Sequence, residues 1–185
     1  MGIVAEVVVD IDVIRRSGVL AGEPAVELAK LIDKMPNLNL RGILAYDGGV
    51  QHVTGFEKRR EKALKNYQPV VASYEMMKDA GLNVGIFSGG GTGTYNMMSA
   101  FPGFTDVQAG SYLFMDRQYM VIGGATNETE FDDFEPSLTV LATVINTNHP
   151  NRLTTDSGAK ALTINQPKAL VIGEPGFEYN AGSDE

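Results

Sequence analysis

Three consecutive glycines follow a short apolar run in the segment IFSGGGTGTYN, which spans residues 86–96. We call residues 88–94 the glycine loop. Glycine loses more conformational entropy on folding than any other residue, so a run of glycines usually means that another group must approach the main chain closely. A helix that begins after the loop would point its positive end at it, and the hydroxyls of Thr92 and Thr94 would add to a ring of main-chain N–H groups. These features together predict a binding site for a phosphate group.

The glycine loop alone leaves more than one interpretation open. It is not a Walker loop, because no Gly-Lys-Ser/Thr sequence closes it and Tyr95 follows Thr94. It nearly matches the tubulin-type nucleotide signature, in which a GGGTG loop meets a helix, but that signature has a further glycine at the position of Tyr95. A tight turn without a ligand is the remaining interpretation.

The composition of the chain is that of an ordinary soluble globular protein. Of its 185 residues, 43% are hydrophobic and 21% are charged, which is enough to bury one sizeable core. The net charge of −8, with no basic stripe, argues against non-specific binding to nucleic acid or to anionic membranes. The absence of cysteine excludes disulfide bonds and thiolate metal sites. Because the sequence shows no secretion signal and no run long enough to span a bilayer, we expect a cytoplasmic protein.

Strands and helices alternate through the first two-thirds of the chain, which predicts a parallel sheet or a (β/α) barrel. The run at residues 5–12 is too continuously apolar for a one-sided sheet and predicts a buried parallel strand. Further strands are predicted at residues 38–49, 82–90 and 104–116. Helices are predicted at residues 23–35 and, over a longer stretch, between Thr54 and Gly81.

The spacing of apolar residues predicts which face of each helix is buried. For the first helix the predicted face consists of Leu28, Leu31, Ile32 and Met35. The longer helix should begin with a capping box formed by Thr54 and Glu57. Its predicted buried stripe runs through Phe56, Arg60, Ala63, Tyr67, Val70, Tyr74 and Met77.

The character of the sequence changes after Asp116. Residues 121–135 are polar and acidic, which is typical of a linker. Residues 136–185 contain strand-like runs separated by turn residues. We therefore divide the chain into an α/β domain at residues 1–120, an acidic linker at 121–135 and an all-β segment at 136–185.

Five segments carry a resemblance to a known family. In chain order they are GILAYDGGVQH, SGGGTGTY, DVQAGSYLFMD, LTVLATVIN and TDSGAKALT. Together they resemble the D-threonine aldolase and D-serine dehydratase family, whose members have the alanine-racemase-type fold and bind pyridoxal 5′-phosphate (PLP). The resemblance covers nearly the whole chain. It implies an α/β fold made of the second half of a (β/α)8 barrel, which binds PLP, followed by part of an all-β domain.

The resemblance also implies roles for individual residues. Arg16 is similar to the family arginine near the phenolic oxygen of PLP, although it is equally explained as a surface charge. Tyr46 resembles the family tyrosine beside the pyridine ring, with a core aromatic as the alternative. Tyr112, which follows Gln108 in the segment QAGSY, would lie near the phosphate. The residues implied to bind the phosphate itself are Ser88, Gly89, Gly90, Gly91, Thr92 and Thr94.

Four further residues match family positions or stand out by type. His52 matches a family histidine, but a solitary histidine after a strand is more often a polar residue satisfied by its neighbours. His149 lies in a segment that predicts an exposed turn. Asp156 and Lys160 match the family stretch Asp-x-Gly-x-Lys and are interpreted as architectural, with the lysine solvated.

Some positions depart from the family pattern. Asp12 stands where the family has a glycine on the corresponding strand. After the tyrosine motif the family usually continues with His or Glu and then Gly-His, whereas this chain has Asp47, Gly48 and Gly49. Changed contacts at these positions would affect the choice of substrate and the orientation of the cofactor.

Two groups that the family uses have no match in this sequence. Family members hold PLP covalently through a lysine on the first barrel strand, and neither Lys30, Lys34 nor any other lysine here sits in an equivalent motif. The family's divalent metal is bound by a His-x-Cys or His-x-Asp pair that also has no counterpart. We therefore expect a phosphate site without a catalytic lysine and without metal ligands, and the catalytic residues stay unassigned.

The function implied by the resemblance is that of a PLP-dependent amino-acid lyase of the D-threonine aldolase type, incomplete in this chain. Such an enzyme cleaves D-3-hydroxy-amino acids to glycine and an aldehyde by a retro-aldol reaction. D-Serine dehydratase or racemase activity is an alternative that uses the same cofactor. A non-catalytic PLP-binding or interaction fragment is an alternative of another class, and a tubulin-type nucleotide-binding protein is a third. The expected partner is a small D-amino acid, with no nucleic acid and no membrane.

The number of strands also predicts association with another chain. Four parallel strands leave two edges with unpaired main-chain groups and one uncovered apolar face. The residues expected to lose an opposite barrel wall are Val7, Val9, Ile43, Ala45, Val84 and Ile86. We therefore expect a homo-oligomer or a complex with a complementary polypeptide.

Overall fold

A four-stranded parallel sheet forms the centre of the protein. The computed structural model describes residues 2–14, 17–163 and 167–180. The strands lie side by side in chain order, and they are β1 (Ala5–Asp10), β2 (Leu38–Ala45), β3 (Ile86–Gly89) and β4 (Asp106–Val107). Because the strands are parallel, the loops that follow β1, β2, β3 and β4 all emerge at the same end of the sheet.

The helix α1 (Glu23–Asp33) packs on the sheet through small and β-branched residues. Pro24 stands in its first turn, where the missing N–H costs nothing. The predicted face is wrong for Leu31 and Met35, which are 52% and 39% exposed. Small side chains let the helix lie close to its neighbours, and the buried residues are Ala25, Val26, Ala29 and Ile32.

The long helix α2 (Phe56–Asp79) confirms most of the predicted stripe. The predicted capping box does not form, because Gly55 occupies the N-cap position and no side chain caps the helix. Arg60 is wrongly placed in the stripe: it pairs with Glu57 at the surface, and Arg59 is fully buried instead. Gly81 ends the helix with φ of 73°, in the left-handed conformation that favours glycine.

The main core lies between the sheet and the two long helices. Val9, Ile43 and Ala45 are at most 1% exposed and pack in this core, so the prediction that they lose an opposite wall is wrong. The opposite face of the sheet is less covered, and Val8 on β1 is 36% exposed. The alternation of strand side chains between the two faces explains why neighbours differ in burial.

The strand predicted at residues 104–116 is confirmed only over the two residues of β4. The chain then turns through a short 3₁₀ helix (Ser111–Leu113) and a short helix α4 (Arg117–Met120). The side chain of Asp116 accepts a hydrogen bond from the N–H of Tyr119 at 3.0 Å and so caps α4. A short helix α3 (Tyr95–Met98) follows the glycine loop.

Part of the acidic stretch packs in a second, small core. Its fully covered members are Met115, Tyr119, Ile122 and Phe131, all at most 6% exposed. The main chain supports this packing, since the N–H of Phe131 donates to the carbonyl of Met120 at 2.8 Å. The domain limits at residues 120 and 135 stay a prediction.

The last described part contains an antiparallel hairpin of β5 (Val144–His149) and β6 (Arg152–Thr155). The carboxylate of Asp156 accepts a hydrogen bond from the N–H of Thr143 at 2.8 Å, which fits its predicted architectural role. His149 and Lys160 are exposed, as predicted. Within the described residues, no helix combines the length and the apolar character that crossing a membrane requires.

Candidate functional site

The loops that follow β3 and β4 are joined side by side at one end of the sheet. The N–H of Gln108 donates to the carbonyl of Gly89 at 3.0 Å, and the Gln108 side-chain amide donates to the hydroxyl of Ser88 at 3.0 Å. The N–H of Tyr112 donates to the hydroxyl of Thr92 at 3.1 Å. The structure thus brings together the glycine loop and the segment that contains Tyr112.

Several N–H groups of the glycine loop are already used by the protein itself. Gly90 donates to the Tyr67 hydroxyl at 3.0 Å, and Gly93 donates to the side-chain oxygen of Gln51 at 3.0 Å. Gly91 donates to the Thr94 hydroxyl at 3.1 Å, while the N–H of Thr94 donates to the carbonyl of Gly91 at 3.0 Å. Thr94 is fully buried, so its hydroxyl stabilises the loop from within.

Close packing against the protein explains why glycine is needed at two positions of the loop. A Cβ on Gly89 would collide with the main-chain oxygen of Ala45. A Cβ on Gly93 would collide with the main chain of Gln51. On the side of the loop that faces Ala45 and Gln51, the group that approaches the bare backbone is therefore the protein itself. A ligand would have to approach the loop from the opposite side.

Gln51 is a site residue that the sequence analysis missed. It is 1% exposed, and its amide nitrogen donates to the carbonyl of Asp47 at 3.0 Å and to the hydroxyl of Thr94 at 3.1 Å. With the bond from Gly93, these contacts tie the turn after β2 to the glycine loop. Gln51 directly precedes His52 in the segment GILAYDGGVQH. Its position in a segment that carries the family resemblance was the one indication in the sequence that it belongs to the site.

Asp47, one of the departures from the family pattern, is fully buried and holds the turn after β2. Its carboxylate accepts a hydrogen bond from the N–H of Gly49 at 2.9 Å and another from the side-chain amide of Asn66 on α2 at 2.7 Å. Hydrogen bonds of this kind let a carboxylate close a tight turn. Asp47, which stands where the family usually has His or Glu, therefore stabilises the local backbone.

Arg59 is a second residue that the sequence analysis missed. Its guanidinium is fully buried behind the glycine loop and donates to the carbonyl of Gly93 at 2.7 Å. Burial lowers the pKa of Arg59, and the negative charge of Asp133 opposes this effect. The arginine thus connects the loop to the body of the protein from the side that faces α2.

A polar cavity of about 240 Å³ opens beside the loop, where β1 and β2 end. The ring of Tyr46 lines this cavity and lies against the glycine loop, because a Cβ on Gly91 would be 3.4 Å from it. Tyr46 therefore borders both the cavity and the loop, while Arg16 lies outside the described residues. Polar residues that line the cavity are Asp10, Asp12, Ser17, Tyr46 and Gln108.

Two further contacts involve His52 and Tyr95, which directly follow Gln51 and the glycine loop in the sequence. The ring centroids of His52 and Tyr119 lie 4.3 Å apart. Burial lowers the pKa of His52, and the negative charge of Asp116 opposes this effect. The hydroxyl of Tyr95 donates to the Asp133 carboxylate at 2.8 Å. Burial, reinforced by Asp133, raises the pKa of Tyr95 to about 12.

The described residues include no group of three His, Cys, Asp or Glu side chains that could hold a metal ion. Lys30, on the exposed side of α1, forms an ion pair with Glu27 at 2.8 Å. The described residues therefore offer no candidate metal centre, and Lys30 is engaged by a carboxylate of its own helix.

Comparison with known proteins confirms the family resemblance. No protein-family model matches the chain. The chain is 36% identical over 182 residues to a D-threonine aldolase of Arthrobacter sp, which covers 97% of this chain and 47% of that protein. It is 34% identical over 171 residues to a 3-hydroxy-D-aspartate aldolase of Paracoccus denitrificans (strain Pd 1222), covering 92% of this chain and 44% of that protein. The chain spans about half the length of the curated relatives it matches.

Solved structures agree with the sequence comparison. The D-threonine aldolase from Filomicrobium marinum superposes with a TM-score of 0.83 and 29% identity over 98% of this chain and 48% of that one. The D-threo-3-hydroxyaspartate dehydratase from Delftia sp. HT23 gives a TM-score of 0.64 at 29% identity over 86% of this chain and 41% of that one. An alanine racemase-like protein from Idiomarina loihiensis, at 23% identity, covers 88% of this chain and 42% of that one with a TM-score of 0.66. The fold is therefore a fragment of an alanine-racemase-like α/β barrel.

Proposed function

We propose that this chain, a homologue of one half of D-threonine aldolase, forms the phosphate-binding half of a PLP-dependent lyase acting on D-3-hydroxy-amino acids. The reaction would be retro-aldol cleavage to glycine and an aldehyde. The observation that carries the proposal is the hydrogen bond from the N–H of Tyr112 to the hydroxyl of Thr92, because it joins the two loops that the family resemblance assigns to the phosphate.

The hydroxyl groups of the site suit a phosphate. Ser88 accepts a hydrogen bond from Gln108, and Thr92 accepts one from Tyr112. A hydroxyl carries one donor proton besides its acceptor lone pairs, so each of these groups keeps a proton to donate to an anion. Ser88 and Thr92 would therefore bind the phosphate, Thr94 would shape the loop, and the exposed side chain of Tyr112 would lie at its rim.

The cavity beside Tyr46 suits the rest of the cofactor and the substrate. The Tyr46 ring would support the pyridine ring, and Arg16 would approach the phenolic oxygen as the family resemblance implies. Asp10 and Asp12 give the cavity a negative lining that favours the ammonium group of an amino acid. When bound, PLP supplies an electron sink for the bond between Cα and Cβ.

The protein should bind PLP without covalent attachment, since no lysine matches the family motif. Titration of the full chain with PLP should raise its melting temperature by on the order of 5–10 °C at a hundredfold excess over Kd, and GTP should produce no shift. Borohydride treatment followed by intact-mass measurement should show no stoichiometric adduct. A shift with GTP and none with PLP would overturn the proposal.

A matched pair of variants tests the assigned hydroxyls. The double variant Ser88→Ala, Thr92→Val should lose most of the PLP-induced shift because both proton donors are removed. Ser99→Ala changes an exposed hydroxyl just beyond α3 and should keep the shift. If the double variant kept a PLP-induced shift as large as that of Ser99→Ala, the phosphate would have to bind elsewhere.

A second candidate, dehydration of a D-3-hydroxy-amino acid, is favoured by the structural match to D-threo-3-hydroxyaspartate dehydratase. The two reactions release different products from the same substrate class. Glycine and an aldehyde indicate cleavage, whereas ammonia and a keto acid indicate dehydration. Product analysis with D-threonine and D-threo-3-hydroxyaspartate separates the two candidates.

A further inference from the structure

Arg59 is the largest fully buried side chain among the described residues, and it carries a charge. It donates to the carbonyls of Gly93 at 2.7 Å, Val53 at 2.8 Å, Ile122 at 3.1 Å and Gly123 at 2.7 Å. All of these acceptors are neutral. No described carboxylate lies within ion-pair distance of Arg59. Burying a charge without a counter-ion is costly, so the position of this one calls for a reason.

Apart from these carbonyls, the surroundings of the guanidinium offer only weak compensation. The rings of Phe56 and Phe131 each lie 5.8 Å from its central carbon, at the outer limit of a cation–π contact. Asp133 influences the charge from beyond ion-pair distance and is itself engaged by the hydroxyl of Tyr95. One of the four carbonyls that Arg59 contacts, that of Gly93, belongs to the glycine loop.

The hydrogen bonds of the loop pass the positive potential of Arg59 to the far side of the loop. Arg59 donates to the Gly93 carbonyl, which belongs to the same peptide group as the N–H of Thr94. That N–H donates to the carbonyl of Gly91, whose peptide group carries the N–H of Thr92. Hydrogen bonds in series polarise one another, so the cation makes the Thr92 end of the loop a better anion site.

We propose that Arg59 is a positioning residue that raises the affinity of the glycine loop for a doubly charged phosphate without touching it. This inference rests on the proposed binding of PLP phosphate at the loop. Through its bonds to Ile122 and Gly123, Arg59 also fixes the loop to the small second core. The electrostatic part of this role depends on the charge of residue 59.

The test separates charge from structure by comparing two ligands. Pyridoxal lacks the phosphate of PLP, so the change between variants in the ratio of the Kd for pyridoxal to the Kd for PLP measures the effect on phosphate binding. In Arg59→Met this ratio should fall on the order of 10- to 100-fold, while the Kd for pyridoxal stays within about threefold. Arg59→Lys keeps the charge and should retain most of the ratio.

Two further variants make the outcome decisive. Arg60→Met removes the neighbouring exposed charge and should leave the ratio unchanged, so that an equal fall there would overturn the inference. Arg59→Gln, which keeps a side-chain amide donor, replaces the methionine variant if that variant does not fold. An unchanged ratio in a folded neutral variant would also overturn the inference, whereas failure of the unaltered chain to bind PLP would instead refute the proposed function.

Discussion

Buried polar side chains, rather than the glycines alone, hold the glycine loop in shape. Tyr67 donates its hydroxyl proton to the carbonyl of Ala45 at 2.8 Å and accepts the N–H of Gly90 at 3.0 Å. Gln51 accepts a hydrogen bond from the N–H of Gly93, and Arg59 donates one to the carbonyl of the same residue. Because these groups are away from water, each bond that is lost leaves an unsatisfied partner.

Tyr67→Phe gives a stability prediction with a pH signature. Burial raises the pKa of Tyr67 to about 12, above the ordinary tyrosine value of 10.0. The folded state therefore keeps a proton that the unfolded state loses, and the stability contributed by Tyr67 is complete below pH 10 and lost towards pH 12. The phenylalanine variant should be less stable by about 1–3 kcal/mol at pH 7, because Ala45 and Gly90 lose their partner.

Urea denaturation at pH 7 and pH 11, at one protein concentration, measures this difference. From pH 7 to pH 11 the difference in free energy of unfolding between Tyr67→Phe and the unaltered chain should narrow, because only the tyrosine can ionise. Tyr112→Phe, at an exposed position, serves as the control and should follow the unaltered chain. A gap of constant size would contradict the assigned role of Tyr67.

The sequence indicated some of these residues and not others. The run of glycines and the hydroxyls of Ser88 and Thr92 were recognisable from type and order. Arg59 was not, because its burial depends on carbonyls that converge on it from separate loops, at residues 93 and 122–123. Spacing alone favoured Arg60, four residues after Phe56, although it lies at the surface.

Among the elements, β2 and β3 position the loop through the pairing of their last residues. Ala45 pairs with Gly89 in the parallel register, and the Gly89 backbone leaves no room for a side chain. The register thus places the start of the loop directly beside the turn that follows β2. Glycine at the end of β3 is therefore a requirement of the sheet.

Gly89→Ala should therefore disturb the junction of the two strands. The added methyl group meets the Ala45 carbonyl and lies 3.0 Å from the Tyr67 hydroxyl, and overpacking of this kind costs about 1–3 kcal/mol. Gly110→Ala is the matched control, because a Cβ at that position meets no atom within 4 Å. Urea midpoints of the two variants give the measurement, and similar values would contradict the prediction.

The first three strands and both long helices were predicted from sequence, while the region after β3 was predicted poorly. The segment at 104–116 has the apolar content of a strand, but the bond between Tyr112 and Thr92 turns it back towards the glycine loop. The cap formed by Asp116 then begins a helix. Both bonds depend on tertiary or turn contacts that apolar periodicity does not reveal.

For the whole molecule, the main question is what covers its exposed apolar surface. In the described sheet β1 and β4 are the edge strands, and an unpaired edge favours pairing with another chain. Leu141 is 95% exposed and Ile145, on β5, is 63% exposed. A large exposed apolar surface is typical of an interface.

We therefore predict that the isolated chain associates at micromolar concentration. Light scattering should give at least twice the mass of one chain, and the melting temperature should rise with protein concentration because association stabilises the folded state. Ile145→Glu places a charge on the exposed hairpin and should reduce the mass if this surface takes part. Lys160→Gln, also at an exposed position, lowers the net charge by the same amount and controls for that change. A dispersed monomer of the unaltered chain with a sharp, cooperative and concentration-independent melt would show that the exposed apolar residues need no partner.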